Sequence, residues 1–221
     1  MSPQTSGASS LSREGVEHLA GAISEGQAEL LSGYAAMILE GGQRLNLLSR
    51  SGLDRVWEHI VDSAALLSFV DVDGRSVADL GSGGGLPGVV VAILRPTARV
   101  VLVESRRRKA AFLRRVRARL SLGNVEVVED RLEHLVGVRS FDVVASRALG
   151  NIEETLRSSL QLVAPGGRLV LFKGPKWKEE AARATEIALE MGGGIVRAEE
   201  IALPGLDRAT VFVEFHVKRT T

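Results

Sequence analysis

Apolar positions in the first seventy residues recur at three- and four-residue intervals: Leu19, Ile23, Leu30, Leu31, Tyr34, Met37, Ile38 and Leu47. That spacing lines one face of α-helices. Gly41-Gly42 falls inside the pattern and predicts a helix break or end there. A further helix is predicted over 53–69, with Val56, Ile60, Ala64 and Leu67 on one face, then a turn over 71–74. From residue 76 the period changes. Short apolar runs at 76–80, 99–104, 124–129, 141–146, 168–173, 195–203 and 210–217 read as seven strands. Helical patterns at 87–94, 106–122, 152–163 and 179–191 fall between them. Only six residues, Pro204 to Ala209, separate the last two strands. That is too short for a crossover helix, so these two should pair antiparallel. The pattern predicts a doubly wound α/β sheet with an antiparallel last strand. It occupies 75–221 and forms one compact unit with a helical extension over 11–74. Residues 1–10, small and polar, read as a disordered tail.

The chain has 221 residues, 45% of them hydrophobic and 25% charged, an ordinary globular composition. It has no cysteine, which excludes disulfides, thiolate catalysis and cysteine-ligated metal. No apolar run approaches the ~20 residues of a membrane helix, and no secretory pattern precedes the fold. The expectation is a cytoplasmic protein without a membrane partner, with a monomer as the default. His18, His59, His134 and His216 lack ligand spacing, so no metal is expected. The net charge of +1 hides an asymmetry. Residues 1–74 carry 4 Lys/Arg against 10 Asp/Glu; residues 75–221 carry 24 against 17. A basic C-terminal part points to an anionic partner.

Residues 76–89 hold the candidate chemistry: an apolar strand, Asp79, then Gly81-Ser82-Gly83-Gly84-Gly85-Leu86-Pro87-Gly88. Glycines let a ligand approach the main chain closely, and strand carboxyl ends are where open α/β sheets bind ligands. Asp79-x-Gly81-x-Gly83-x-Gly85 is an acid before a glycine-rich turn. Gly83-x-Gly85-x-x-Gly88, with Glu104 about 20 residues on, equally satisfies the dinucleotide pattern. The glycines alone leave both cofactors open. Asp79 and Glu104 end neighbouring strands, where one could accept from a ligand ammonium and the other from ribose hydroxyls.

Other groups surround this loop in sequence. Residues 106–122 open Arg106-Arg107-Arg108-Lys109, continue with Arg114, Arg115, Arg117 and Arg119, and contain no acid. Such an array either neutralises phosphates or is a solvated face. Leu132-Glu133, after the third strand, is placed for an adenine ring or is a plain loop. Arg147 follows the fourth strand and should face the cleft. Lys173, Lys176, Trp177 and Lys178 leave the fifth strand and mix cations with an aromatic. That suits a single-stranded base, or equally a lid on the sheet edge. His59 reads as structural.

Taken together, Asp79-Leu80-Gly81-Ser82-Gly83 through Leu86-Pro87-Gly88, then Glu104, Lys109-x-x-Phe112-Leu113, Ser146-Arg147-Ala148, Pro165-Gly166-Gly167 and Lys173-Gly174 resemble the glucose-inhibited division protein B family. Asn46-Leu47 and His59-x-x-Asp62-Ser63 match that family's N-terminal region. The resemblance covers about residues 35–218. It implies a class I S-adenosylmethionine-dependent methyltransferase with a Rossmann-like fold. It also implies methylation of guanine N7 in 16S ribosomal RNA of the small subunit, in the 530 loop. By resemblance S-adenosylmethionine lies against Gly81, Leu86, Leu132, Glu133 and Arg147, with Asp79, Gly83, Gly85 and Glu104 in the general cofactor-binding roles. Asn46, Arg147 and Lys173 are substrate-positioning candidates. The family's tryptophan-asparagine pair is Gln43-Arg44 here, which leaves the role of Asn46 open.

Guanine N7 carries a lone pair and no proton, so its methylation needs no base. The sequence shows no acid–base dyad, which agrees, and proximity and orientation would carry catalysis. Two alternatives stand at this point. One is a nicotinamide-dependent oxidoreductase on Gly83, Gly85 and Gly88, short of a proton donor because Tyr34 precedes the fold. The other is a non-catalytic RNA-binding ribosome-assembly factor.

Overall fold

The computed structural model describes residues 6–53, 55–147, 152–174 and 177–217. Five helices come first: α1 (Ser6–Ala20), α2 (Glu25–Leu45), α3 (Arg50–Leu53), α4 (Val56–Ala64) and α5 (Leu66–Phe69). Then β1 (Ser76–Leu80), α6 (Gly88–Leu94), β2 (Arg99–Val103), α7 (Arg107–Arg119), β3 (Val125–Val128) and β4 (Phe141–Ser146) alternate. The chain ends with α8 (Ile152–Ser159), β5 (Val163–Lys173), α9 (Trp177–Glu190), β6 (Gly193–Ala202) and β7 (Ala209–Val217).

Three local expectations are corrected. Of the tail read over 1–10, residues 6–10 are helical, and residues 1–5 lie outside the described residues. Val16, Leu19 and Ala20 are buried in the core and anchor that helix. Each residue added to a formed turn gains a hydrogen bond. Gly41-Gly42 does not end α2, which runs on to an αL cap at Asn46 (φ 49°). The two glycines make room instead. A Cβ on Gly41 would lie 3.2 Å from the Phe112 ring, and one on Gly42 would lie 2.2 Å from a Leu53 methyl. The single helix expected over 53–69 is divided into α4 and α5, with α3 ending at Leu53.

The seven strands form one sheet in the order β3-β2-β1-β4-β5-β7-β6. Strands β1 to β5 pair in parallel, and β7 runs antiparallel between β5 and β6. The antiparallel end was legible; the insertion of the last strand between its two predecessors was not. Pro165-Gly166-Gly167, expected to precede the fifth strand, lies within β5. The pairing with β4 jumps there from Phe141↔Val163 to Val143↔Arg168. Helices cover both faces. Tyr34, Ile38, Ile60 and Leu66 of the extension share one buried cluster with Val89, Ile93, Leu102, Leu113 and Phe212. On the opposite face Leu156, Leu160, Ile187 and Ala188 pack on Val144, Leu169, Leu171 and Phe215. No helix among the described residues is long and apolar enough to cross a membrane.

Candidate functional site

Strand register decides what meets at the carboxyl edge. Leu80 is opposite Val103 on one side and Ser146 on the other, and Val103 is opposite Val128. The next residues along each strand, Gly81, Glu104, Glu129 and Arg147, therefore leave the sheet side by side. Strand order reverses between β1 and β4, which opens a crevice at that point.

The glycine loop is held by its own backbone and by two acids. Gly81 and Ser82 both donate N–H to the Val103 carbonyl at 3.0 Å. Gly81, Gly83 and Gly85 have φ of 68°, 56° and 100°. Glu104 accepts from Gly83 N–H at 2.9 Å and from Arg106 N–H at 2.8 Å, and so joins the loop to the start of α7. Asp79 is 1% exposed and accepts from Gly88 N–H at 3.0 Å, which fixes the turn into α6. Both acids thus have backbone partners in the loop. The ligand-facing duties expected of them were inferred from strand ends alone, which do not show where a carboxylate turns.

Burial pushes the Asp79 carboxyl up to about 7, against the lowering effect of Gly88 N–H and the Arg147 charge. Its folded value therefore lies above its ordinary value of 3.8, so the native state holds the proton more tightly than the unfolded chain. The stability this contributes is full below about pH 4 and is lost as pH rises through about 7. Relative to Asp79→Asn, which keeps an acceptor for Gly88, wild type is expected to lose up to about 4 kcal/mol across that window. Urea unfolding of both proteins across the range checks this. Parallel pH profiles would show that the carboxyl is not protonated in the fold.

Beside the loop lies a cavity of about 260 Å³, lined by Gly81, Val103, Ser105, Asp130, Arg131, Leu132 and Glu133. Here the structure brings together Gly81, Leu132 and Glu133, which sequence reading had placed on separate elements. Asp130 shapes this wall by accepting from Arg131 N–H at 2.8 Å and bonding His134 Nδ1 at 2.7 Å. Those two bonds hold its carboxyl below the usual range. Leu86 lies 7% exposed in the loop. Ser146 Oγ, at the end of β4, is buried with no hydrogen-bond partner among the described residues.

Arg147 was expected to face the cleft from the end of the fourth strand. Its guanidinium is tied to α4: it reaches His59 Nδ1 at 2.7 Å, donates to the His59 carbonyl and Ser63 Oγ at 3.4 Å, and lies 3.6 Å from Asp62. Burial and then the Arg147 charge press His59 down to about 4, so the ring stays neutral and accepts from Arg147. Thr210 Oγ1 donates to Asp62 from β7. The His59-x-x-Asp62-Ser63 element is therefore the seat of Arg147, a pairing that sequence spacing could not reveal.

The extension also reaches the loop. Tyr34 is fully buried and donates its hydroxyl to the Gly84 carbonyl at 2.9 Å. Burial raises its phenol well above the ordinary value, so it remains a donor. Leu47 Cβ lies 3.5 Å from where a Cβ on Gly84 would sit, which brings the neighbouring, exposed Asn46 close to the loop. Helical spacing gave Tyr34 only as a core residue, so its role in the loop was missed.

The cations divide. Arg106, Arg107 and Arg108 are exposed, and Lys109 points its Nζ to within 3.9 Å of where a Gly83 Cβ would be. Among the described residues, only Arg114 of the eight cations over 106–122 forms an ion pair, with Glu129 at 2.6 Å. Lys173 is less free than expected, being paired with Glu180 at 3.2 Å. Trp177 is half-buried and packs on the second apolar cluster, as a lid on the sheet edge would. Lys178 is exposed, and Lys176 lies outside the described residues. No group of His, Cys, Asp and Glu among the described residues could hold a metal ion.

Comparison with known proteins places this geometry. A family model described as rRNA small subunit methyltransferase G matches residues 27–198. A Ribosomal RNA small subunit methyltransferase G from Chromobacterium violaceum is 36% identical over 196 residues, 88% of this chain and 91% of that protein. One from Syntrophomonas wolfei is 37% identical over 186 residues, 82% of this chain and 87% of that protein. Among solved structures, M. jannaschii TYW2 in complex with AdoMet superposes with a TM-score of 0.57 at 15% identity, over 77% of this chain and 78% of that one. The last likeness is one of fold.

Proposed function

The chain belongs to the rRNA small subunit methyltransferase G family, and from that premise we propose that it methylates N7 of a guanine in the 530 loop of 16S rRNA. It is an S-adenosylmethionine-dependent rRNA methyltransferase; the oxidoreductase and non-catalytic alternatives find no support in these relatives. The atom, the loop, the residue roles, the cytoplasmic setting and the monomeric state are the proposal. The protein acts as a cytoplasmic monomer, with the small ribosomal subunit as its partner.

The carboxyl edge fits this cofactor. Three positive-φ glycines leave bare backbone, a cavity of about 260 Å³ adjoins Gly81, and Ser146 Oγ has a hydrogen bond to give. Gly81, Leu132 and Glu133 would hold the adenosine end. Gly83, Gly85 and Leu86 would shape the loop around the rest, fixed by Asp79 and Glu104, with Arg147 closing the β4 side. The cofactor supplies a methyl group made electrophilic by its sulfonium. The protein's part is to orient the guanine and exclude water. No base is required, and none is poised: Asp79 is bound to Gly88 N–H, and His59 is neutral and bound to Arg147. Arg106, Arg107, Arg108 and Lys109 would take RNA phosphates, with Asn46, Lys173 and Lys178 at the margins of the cleft.

The observation that carries this reading is Lys109. The helix with the strongest claim on a polyanion places its ammonium over the glycine loop. The test offers labelled S-adenosylmethionine with small subunits, naked 16S rRNA and bulk tRNA, followed by nucleoside digestion. Label in N7-methylguanosine from 16S rRNA is expected; label in another nucleoside, or none, would overturn the proposed atom.

The Tyr34 bond yields a further prediction. Tyr34→Phe leaves the buried Gly84 carbonyl without its donor, a loss of about 1 kcal/mol. Affinity for S-adenosylhomocysteine, read by calorimetry, should fall roughly fivefold. Unchanged affinity would show that α2 does not set the loop.

A further inference from the structure

We infer that a trough between α2 and α7 is a second nucleotide site, holding an unstacked base of the substrate RNA next to the target guanine. The inference rests on the rRNA methyltransferase reading above. Arg108, Ala111, Phe112 and Arg115 stand at i, i+3, i+4 and i+7 and so form one stripe along α7. With Leu45, at the end of α2, they line a cavity of about 260 Å³. Its floor is carbon, made by Leu45 and Ala111 over the Phe112 ring, which is itself buried in the core at 2% exposure. Its two ends are guanidinium groups. The Arg115 guanidinium carbon is 5.6 Å from the Phe112 ring centroid, and Arg108 donates to the Arg44 carbonyl at 3.5 Å.

Charge and shape together select the occupant. The surrounding helix carries seven cations and no acid, with Arg106 just before it, so what approaches it is a polyanion. The shallow apolar floor between two planar cations takes a flat apolar group. A polyanion that carries flat apolar groups is a nucleic acid, and single-stranded RNA offers them unpaired. Its bases stack on guanidinium planes, which Arg108 and Arg115 offer here. The position agrees. Lys109, the residue after Arg108, reaches the glycine loop, so a strand that delivers its guanine to that loop lays a neighbouring nucleotide along this stripe.

Ala111→Leu tests the site, because it fills the trough at an exposed helical position without changing charge. Arg119→Ala, on the same helix outside the trough, is the control. The full-length protein is assayed for methyl transfer to small subunits. It is also assayed for binding to a single-stranded RNA oligonucleotide and to its abasic counterpart. Ala111→Leu is expected to raise KM for small subunits about tenfold and to close the affinity gap between the two oligonucleotides. S-adenosylhomocysteine affinity, unfolding midpoint and salt dependence should stay as in wild type. Arg119→Ala should weaken both oligonucleotides alike and lower the salt slope by about one. A wild-type KM and an undiminished gap in Ala111→Leu would overturn the inference. So would a raised KM with an undiminished gap, which would assign the trough to a ribosomal protein. If wild type itself transfers no methyl to 16S rRNA, the functional reading falls, and the oligonucleotide gap alone decides the trough.

Discussion

Gly85→Ala is expected to abolish measurable binding of S-adenosylhomocysteine and to destabilise the protein by about 3 kcal/mol. At φ 100° this residue lies beyond the left-handed helical region, where any Cβ is strained, at roughly 1–3 kcal/mol. The new Cβ would lie 2.6 Å from a Val89 methyl and 3.1 Å from a Leu113 methyl, and both side chains are fully buried. Overpacking of that kind costs roughly a further 1–3 kcal/mol. The Tyr34 hydroxyl, 3.0 Å from the same point, blocks the remaining side. Relief by moving the loop breaks the Tyr34–Gly84 and Gly83–Glu104 bonds that hold it. Gly83→Ala is the internal comparison. Its φ of 56° is one that alanine reaches for roughly 1–2 kcal/mol, and the nearest atom to a new Cβ is 3.7 Å away. Denaturant unfolding and calorimetry on both variants decide the matter. Equal midpoints for the two would refute the packing argument.

This contrast also marks how far the sequence could be read. The loop announced itself because glycine spacing is written in consecutive residues, and the strand–loop–helix order follows from local periodicity. Seven strands and the final antiparallel pair were legible for the same reason. What stayed hidden depends on long-range approach. Gly41-Gly42 read as a helix end because a local pattern cannot show that Phe112 and Leu53 need the space. Tyr34 read as one more core position because its hydroxyl partner is fifty residues away. Asp79 and Glu104 were placed at the right edge, but their bonds to Gly88, Gly83 and Arg106 N–H were not legible, since a strand end fixes position but not the direction of a carboxylate. The array on α7 was legible as charge. Its division into a Lys109 that reaches the glycine loop, a salt-bridged Arg114 and the Arg108–Arg115 trough required the helix to be set against α2 and β3.

Arg147→Ala is expected to lower kcat/KM for methyl transfer about a hundredfold and stability by about 3 kcal/mol. Both effects start from one geometry. The guanidinium is largely buried at the end of β4 and faces Asp62, whose side chain is 9% exposed. Removing one partner of such a pair leaves an uncompensated charge, at roughly 3–5 kcal/mol. Thr210 remains on Asp62, which limits the loss to the low end. Arg147→Lys restores a charge but not the fork that reaches His59, Ser63 and Asp62 together, so it should recover stability only in part. The His59 ring supplies an independent reading. Its folded value of about 4 lies below its ordinary 6.5, so its contribution is full above pH 6.5 and is lost as pH falls through about 4. Arg147 is the second cause of that depression after burial, so Arg147→Ala should flatten the acid limb of the stability profile. Asp79 tilts the same window the other way, and each slope must be read as the difference between wild type and its own variant. A flattened acid limb with wild-type kcat/KM would make Arg147 a structural tie alone. Loss of both would place it at the joint between α4 and the methyl-transfer site.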